Sequence, residues 1–169
     1  MVVMEVMTMF HIGDKIVYPM HGAGVIEEIT EKEILGKRKK YYILKFPIGD
    51  MKVMVPVGKV EQIGVRPVID SDQVAGVFSI LDEDPDEMSD NWNKRYRENM
   101  DKIKSGDICQ VANVVRNLIA RDREKGLSTA EKKLLTNARH IMVSELVLTN
   151  TYSAQEIDAR LDALAGVTE

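Results

Sequence analysis

The residues of this chain best suited to a chemical task surround its single tryptophan. Trp92 follows Ser89-Asp90-Asn91 and precedes Lys94, Arg95, Tyr96 and Arg97. A bulky apolar side chain beside several cations suits a protein that binds a nucleic-acid backbone and inserts one side chain between bases. The competing expectation is burial, since tryptophan is usually packed inside. More cations follow at Lys102, Lys104, Arg116, Arg121, Arg123, Lys125, Lys132 and Lys133. Those that end a helix complement its dipole and so have a structural reason. Lys132 and Lys133 fall near a helix start, where the dipole disfavours them and backbone N–H groups can meet a phosphate. If three helix ends converge, about half a dozen charges face DNA, too few for tight non-specific binding at physiological salt. A second, tethering partner is then needed, and the N-terminal region is the candidate anchor.

Other chemistries lack their residues. His11, His21 and His140 have no metal-ligand spacing with one another or with Cys109. His21 sits in a Pro-x-His-Gly turn, where a structural hydrogen bond is the simpler role. Cys109 lies beside an apolar stripe and reads as a small buried residue, not a nucleophile. Gly13, Gly22 and Gly24 form no phosphate-cradling loop. Asp82, Glu83, Asp84, Asp86 and Glu87 lack the alternating ligands and glycine of a calcium loop. They read as a solvated acidic loop that repels stray DNA from one flank of the basic face. No enzyme activity, metal, cofactor or small-molecule substrate is expected.

The elements that must position these residues fall into two halves of different period. Lys15-Ile16-Val17-Tyr18 is a short strand halted by Pro19, and Val25–Thr30 continues it beyond a glycine bend. Leu35-Gly36-Lys37-Arg38 turns the chain into Lys40–Phe46, and Met51–Pro56 and Arg66–Ile69 complete five short strands. The expectation is a small Tudor- or SH3-like β-barrel over residues 9–69. From residue 71 the period becomes helical. Val74, Val77, Phe78 and Leu81 share a face. A second helix starts at Ser89 or Asp90 and ends near Ser105-Gly106. A third carries Ile108, Val111, Ala112, Val115, Leu118 and Ile119. Two capping boxes, Ser128-x-x-Glu131 and Ser153-x-x-Glu156, open a fourth and a fifth. The fold class is therefore α+β in two domains: the barrel, then an all-α bundle of about five helices over residues 70–165.

Composition agrees with this division. Of 169 residues, 44% are apolar and 30% charged, the balance of a soluble globular chain. No apolar run approaches the roughly 18 residues of a membrane span. Met1–Thr8 lacks the basic start and cleavage site of a signal peptide, and the pattern proper begins at Met9-Phe10. One cysteine precludes an internal disulfide and fits a reducing cytoplasm. The net charge of −4 hides blocks: residues 70–92 carry eight Asp/Glu and no Lys/Arg, while residues 93–140 carry twelve Lys/Arg against six Asp/Glu. A basic block of this kind lets an acidic protein bind a polyanion.

Several short motifs run in order along the chain. They are Phe10-x-Ile12-Gly13-Asp14, Val17-Tyr18-Pro19-x-His21-Gly22-x-Gly24, Val55-Pro56, Asn91-Trp92 followed by Arg95-Tyr96, Ser105-Gly106-Asp107, and Gly126-Leu127-Ser128-x-x-Glu131-Lys132. Together they resemble the CarD/CdnL family of bacterial RNA polymerase-binding transcription regulators. The resemblance implies that the Tudor-like domain docks on the protrusion lobe of the polymerase β subunit. It implies that the helical domain contacts promoter DNA at the upstream edge of the −10 element without reading an operator. Trp92 would wedge into the minor groove at the edge of the melted region, with Arg95, Arg97 and Lys132 on phosphates. Lys94, Arg121 and Lys133 extend that basic face.

Several family members carry an arginine where this chain has Met54. Polymerase binding would then lean on backbone pairing at the strand edge near Met54 and Pro56, and on Lys32 and Lys52. The implied effect is a longer-lived open complex. The alternatives are a protein–protein adaptor whose basic helices meet an acidic partner, and a KOW/Tudor-type RNA-binding module.

Overall fold

Tight turns and one close backbone approach shape the N-terminal half. A computed structural model describes residues 10–166. The expectations for Met1–Thr8, and for Met9 as the start of the pattern, lie outside the described residues.

Among the described residues five strands form one antiparallel sheet: β1 (Lys15–Tyr18), β2 (Gly22–Ile34), β3 (Lys37–Lys45), β4 (Lys52–Pro56) and β5 (Arg66–Pro67). Their order is β4-β3-β2-β1-β5. β2 and β3 are joined through Leu35 and Gly36, both at positive φ (54° and 79°). That is the backbone of the two-residue turn that matches strand twist. Gly24 is required where β2 passes β3, because a Cβ there would stand 2.5 Å from the Lys45 carbonyl oxygen. The register slips between Ile26 and Glu28, leaving Glu27 as a bulge that bends β2.

Among the described residues the sheet does not close: β4 pairs only with β3, and the two-residue β5 only with β1. The expected barrel is corrected to an open sheet. Its core holds Ile16, Ile26, Tyr42, Leu44 and Val55 from the strands. Val57, Val60 and Val65 join them from a 3-10 turn (Val57–Lys59), α1 (Val60–Ile63) and the second residue after it. A turn and a short helix thus complete the burial that strand pairing would complete in a barrel.

Beyond β5 a 3-10 turn (Ser71–Gln73) leads into α2 (Val74–Asp82), α3 (Trp92–Lys104), α4 (Ile108–Glu124), α5 (Thr129–Leu148) and α6 (Ala154–Leu164). The described residues therefore hold six α-helices; the one not foreseen is α1, a single turn ahead of β5. The apolar stripes of α2, α4, α5 and α6 meet in one core with Ile103 of α3. Both foreseen capping boxes form, at Ser128/Glu131 and Ser153/Glu156. The N-cap of α3 is Asn91, not Ser89 or Asp90: its Oδ1 accepts the Lys94 N–H at 3.0 Å. Cys109 is exposed, not buried, and desolvation followed by the charge of nearby Asp107 raises its thiol pKa.

The two halves share a polar joint. Glu145 is 1% exposed and takes a two-bond fork from Arg66, at 2.7 and 2.8 Å. It also accepts the Ile69 N–H at 2.9 Å, while Arg66 Nε donates to the Gly106 carbonyl. The buried Ser144 hydroxyl accepts the Ala23 N–H at 2.9 Å, and Lys15 donates to the Leu148 carbonyl. Val17 and Ala23 pack on Leu148 beside these bonds. His140 meets Phe46 edge-on here, and burial pushes its imidazole pKa down.

Candidate functional site

Trp92 is the first residue of α3, and it is 40% exposed. The expectation that it packs in the core is set aside. Two groups hold the indole. Its ring lies on Tyr96, four residues on, with centroids 5.1 Å apart and planes 16° from parallel. Its Nε1–H donates to the Ser128 hydroxyl, the N-cap of α5, at 3.1 Å. The starts of α3 and α5 therefore meet at this side chain.

Beneath it lies an ion pair. Arg95 donates to both carboxylate oxygens of Glu131, at 2.8 and 3.2 Å. Arg95 is 4% exposed and Glu131 2%. The hydrogen bond from Arg95 holds the Glu131 carboxyl below the usual range, and the reciprocal bond raises the guanidinium. Arg95 also donates to the Ser89 carbonyl at 3.0 Å. Its expected place on the phosphate face is thus corrected: its hydrogen-bonding fork is spent on a carboxylate and a backbone carbonyl inside the protein. A sequence signal existed for this. Arg95, Asn99 and Ile103 recur every fourth residue, and all three are buried on one side of α3.

The other candidate cations are distributed unevenly. Lys94, Arg97, Lys132 and Lys133 are exposed on the first two turns of α3 and α5. Lys94 stands 4.0 Å from Glu98, a solvated pair of small energetic weight. Arg121 sits in the last turn of α4, half-buried, its Nε without a hydrogen-bond partner among the described residues. A short loop joins that turn to Ser128, so the end of α4 adjoins the start of α5.

The acidic segment is not simply solvated. Arg116 is 4% exposed and donates to Asp86 at 2.9 Å and to the Ile80 carbonyl, with Glu83 at 3.6 Å. Asn113 donates to Asp86, and this bond is the main cause of a lowered carboxyl pKa. Asp82 pairs with Arg160. These carboxylates pin the connection between α2 and α3, and Arg116 is occupied in doing so.

On the sheet, the register gathers the second group of candidates. Lys32 pairs across from Lys39, Pro56 from Tyr41, Met54 from Ile43 and Lys52 from Lys45. Side chains alternate along a strand, so Lys32, Lys52, Met54 and Pro56 all share the sheet face opposite buried Tyr42, Leu44 and Val55. Among the described residues β4 is an edge strand, its outer row of backbone groups not paired by another strand. Met54 is 36% exposed. Lys52 is bonded at 2.8 Å to the bulge residue Glu27, which raises the lysine pKa and lowers that of the glutamate. Sequence reasoning missed the roles of Ser128 and Glu131 beyond their capping box, and the joint between Arg66 and Glu145. Neither pairing has a local spacing signal, since the partners lie 36 and 79 residues apart.

Fold and site define a protein with a sheet half and a helical half whose distinctive groups lie on exposed surfaces: a tryptophan corner and a sheet edge. Residues 76–162 match the family model of the CarD C-terminal domain, and residues 10–69 that of the CarD-like/TRCF RID domain. A putative transcription factor of Bacillus subtilis (strain 168), YdeB, is 42% identical over 149 residues, 88% of this chain and 97% of that protein. The solution NMR structure of the 72-residue N-terminal domain of Myxococcus xanthus CarD is 36% identical over a match that covers 34% of this chain and 77% of that one, with a TM-score of 0.31. The chain belongs to the CarD family and is a transcription regulator.

Proposed function

We propose that the protein binds the β subunit of bacterial RNA polymerase through its N-terminal sheet and prolongs the promoter open complex through Trp92. The observation that carries this reading is an indole 40% exposed yet tied at both its N–H and its ring face. Such a group is ready to meet a base or a groove wall. Exposed cations lie on the same two helices: Lys94 and Arg97 follow on α3, and Lys132 and Lys133 stand one turn beyond Ser128.

Melting a promoter exposes unstacked base edges at the fork. An apolar wedge placed there opposes reannealing, because closing the bubble must expel it. Stacking on a base is worth about 1–3 kcal/mol, roughly five- to 150-fold in an equilibrium constant. The few cations around Trp92 supply a weak, sequence-independent grip on phosphates. The sheet edge at β4, with Met54, Pro56, Lys52 and Lys32 on one face, supplies the tether that raises local concentration. Such a protein works in the cytoplasm, on the nucleoid.

The test is open-complex lifetime on a promoter with purified bacterial polymerase, comparing no addition, wild-type protein and Trp92→Ala. A longer lifetime that depends on Trp92 supports the wedge. Equal lifetimes at saturating, folded protein favour the adaptor reading, in which the basic helices meet an acidic protein.

A further inference from the structure

We propose that Ser128, Glu131 and Arg95 are positioning residues for Trp92, an inference that rests on the reading of Trp92 as the DNA-contacting wedge. The argument is one of hydrogen-bond capacity. A serine hydroxyl has one proton to donate and two lone pairs to accept with. At Ser128 all three are used. The hydroxyl donates to Glu131 Oε1 at 3.1 Å, accepts the Glu131 backbone N–H at 3.2 Å, and accepts the indole N–H at 3.1 Å. Its rotor therefore has one satisfied setting, and that setting presents a lone pair to Trp92.

Glu131 fixes the setting. Its Oε1 takes the hydroxyl proton, so the lone pairs of Ser128 face away from it. The carboxylate itself cannot turn, because Arg95 grips both oxygens. Arg95 in turn donates to the Ser89 carbonyl, three residues before the tryptophan. The bonds thus form a ring: indole, Ser128, Glu131, Arg95, the Ser89 carbonyl, and back along the backbone to Trp92. The buried half of this ring is shielded from water, where hydrogen bonds between charged groups are strong. The exposed half is the indole. A capping box beside an ion pair accounts for the bonds within α5 and to Arg95. It does not account for an exposed indole spending its only donor on the cap hydroxyl.

The consequence is that Trp92 meets DNA already ordered. An exposed aromatic side chain left free loses its rotamer freedom on binding, at a cost of about 0.5–1.5 kcal/mol, which corresponds to roughly two- to twelvefold in affinity. The ring of bonds moves that cost into folding.

Because Trp92 is the sole tryptophan, its fluorescence reports this directly. The decisive variant is Ser128→Gly in the full chain. Glycine retains most of the N-cap energy of serine but has no hydroxyl. Time-resolved anisotropy of the free protein should gain a fast component in Ser128→Gly and regain the wild-type decay in Ser128→Thr. Open-complex lifetime should fall about two- to tenfold in Ser128→Gly and recover in Ser128→Thr. Glu131→Gln should show the same fast component. If it unfolds the corner by stranding Arg95, the Ser128 pair still decides the matter. Wild-type anisotropy in folded Ser128→Gly overturns the proposal and leaves Ser128 a cap alone. If Trp92→Ala itself leaves the lifetime unchanged, the wedge reading fails, while the anisotropy still decides whether Ser128 holds the ring.

Discussion

The corner that carries Trp92 and the joint between sheet and helices are both closed by a buried glutamate of α5 gripped by an arginine fork. At the joint, Glu145 takes Arg66 and the Ile69 N–H, and every bond ends inside the protein. At the corner, Glu131 takes Arg95, but the chain of bonds continues through Ser128 to an exposed indole. The same device therefore serves two ends. A buried ion pair offers little net stability over a well-packed apolar pair, yet breaking one by removing a single partner is costly. What each pair contributes is a fixed geometry: of one half against the other at Glu145, of one side chain at Glu131.

The largest effect should come from the joint. Glu145→Ala strands Arg66 and the Ile69 N–H, and should lower unfolding free energy by about 3 kcal/mol or more, measured by urea denaturation. A loss under about 1 kcal/mol would mean that the two pairs are not alike. Next comes Trp92→Ala. It should leave stability within about 1 kcal/mol of wild type, since the indole is half outside, yet shorten open-complex lifetime roughly five- to 150-fold. A severe loss of stability with no separate kinetic effect would turn the corner into a second structural joint.

Smaller still is Lys132→Ala, which removes one exposed cation beside the corner. It should reduce the slope of log affinity against log salt by about 1 for promoter DNA, without moving the thermal midpoint.

The smallest effect separates the two regions by pH. His140, at the joint, has a folded pKa below its unfolded value, so its share of stability is present above about pH 6.5 and is lost as pH falls through the lowered value. Glu131, at the corner, has a depressed carboxyl, so its share persists until pH falls below about 4.3 and through its own lowered pKa. Mild acid should weaken the joint before the corner. Urea unfolding between pH 7 and 5 should show a decline that His140→Phe abolishes, while the emission of Trp92 in the folded protein stays constant.

Much of this organisation was legible along the chain, because the signals are local. Strand alternation, the Leu35-Gly36 turn and the two serine capping boxes each lie within a few residues of their cause. The corner was only half legible. Trp92 beside Lys94 and Arg97 marked the place, but a cation's charge does not reveal which way it points. Arg95 looked like its neighbours until the fold brought Glu131 beneath it. Closure of the sheet was also out of reach: strand count alone does not show that Val57, Val60 and Val65 would finish the core. The acidic run misled for a related reason, since its partners Arg116 and Arg160 are distant in sequence.

One helix belongs to both regions. α5 begins at the hydroxyl that holds Trp92 and, near its other end, carries Ser144, Glu145 and Leu148 on the sheet. At about 1.5 Å per residue, the span from Ser128 to Glu145 is roughly 26 Å of straight helix. α5 is thus a ruler between the sheet and the tryptophan corner. Adding one residue to its middle would advance the tryptophan corner by about 1.5 Å and swing it by about 100° relative to the sheet. The spacing and the relative orientation of the two ends are therefore both set by the length of this one helix.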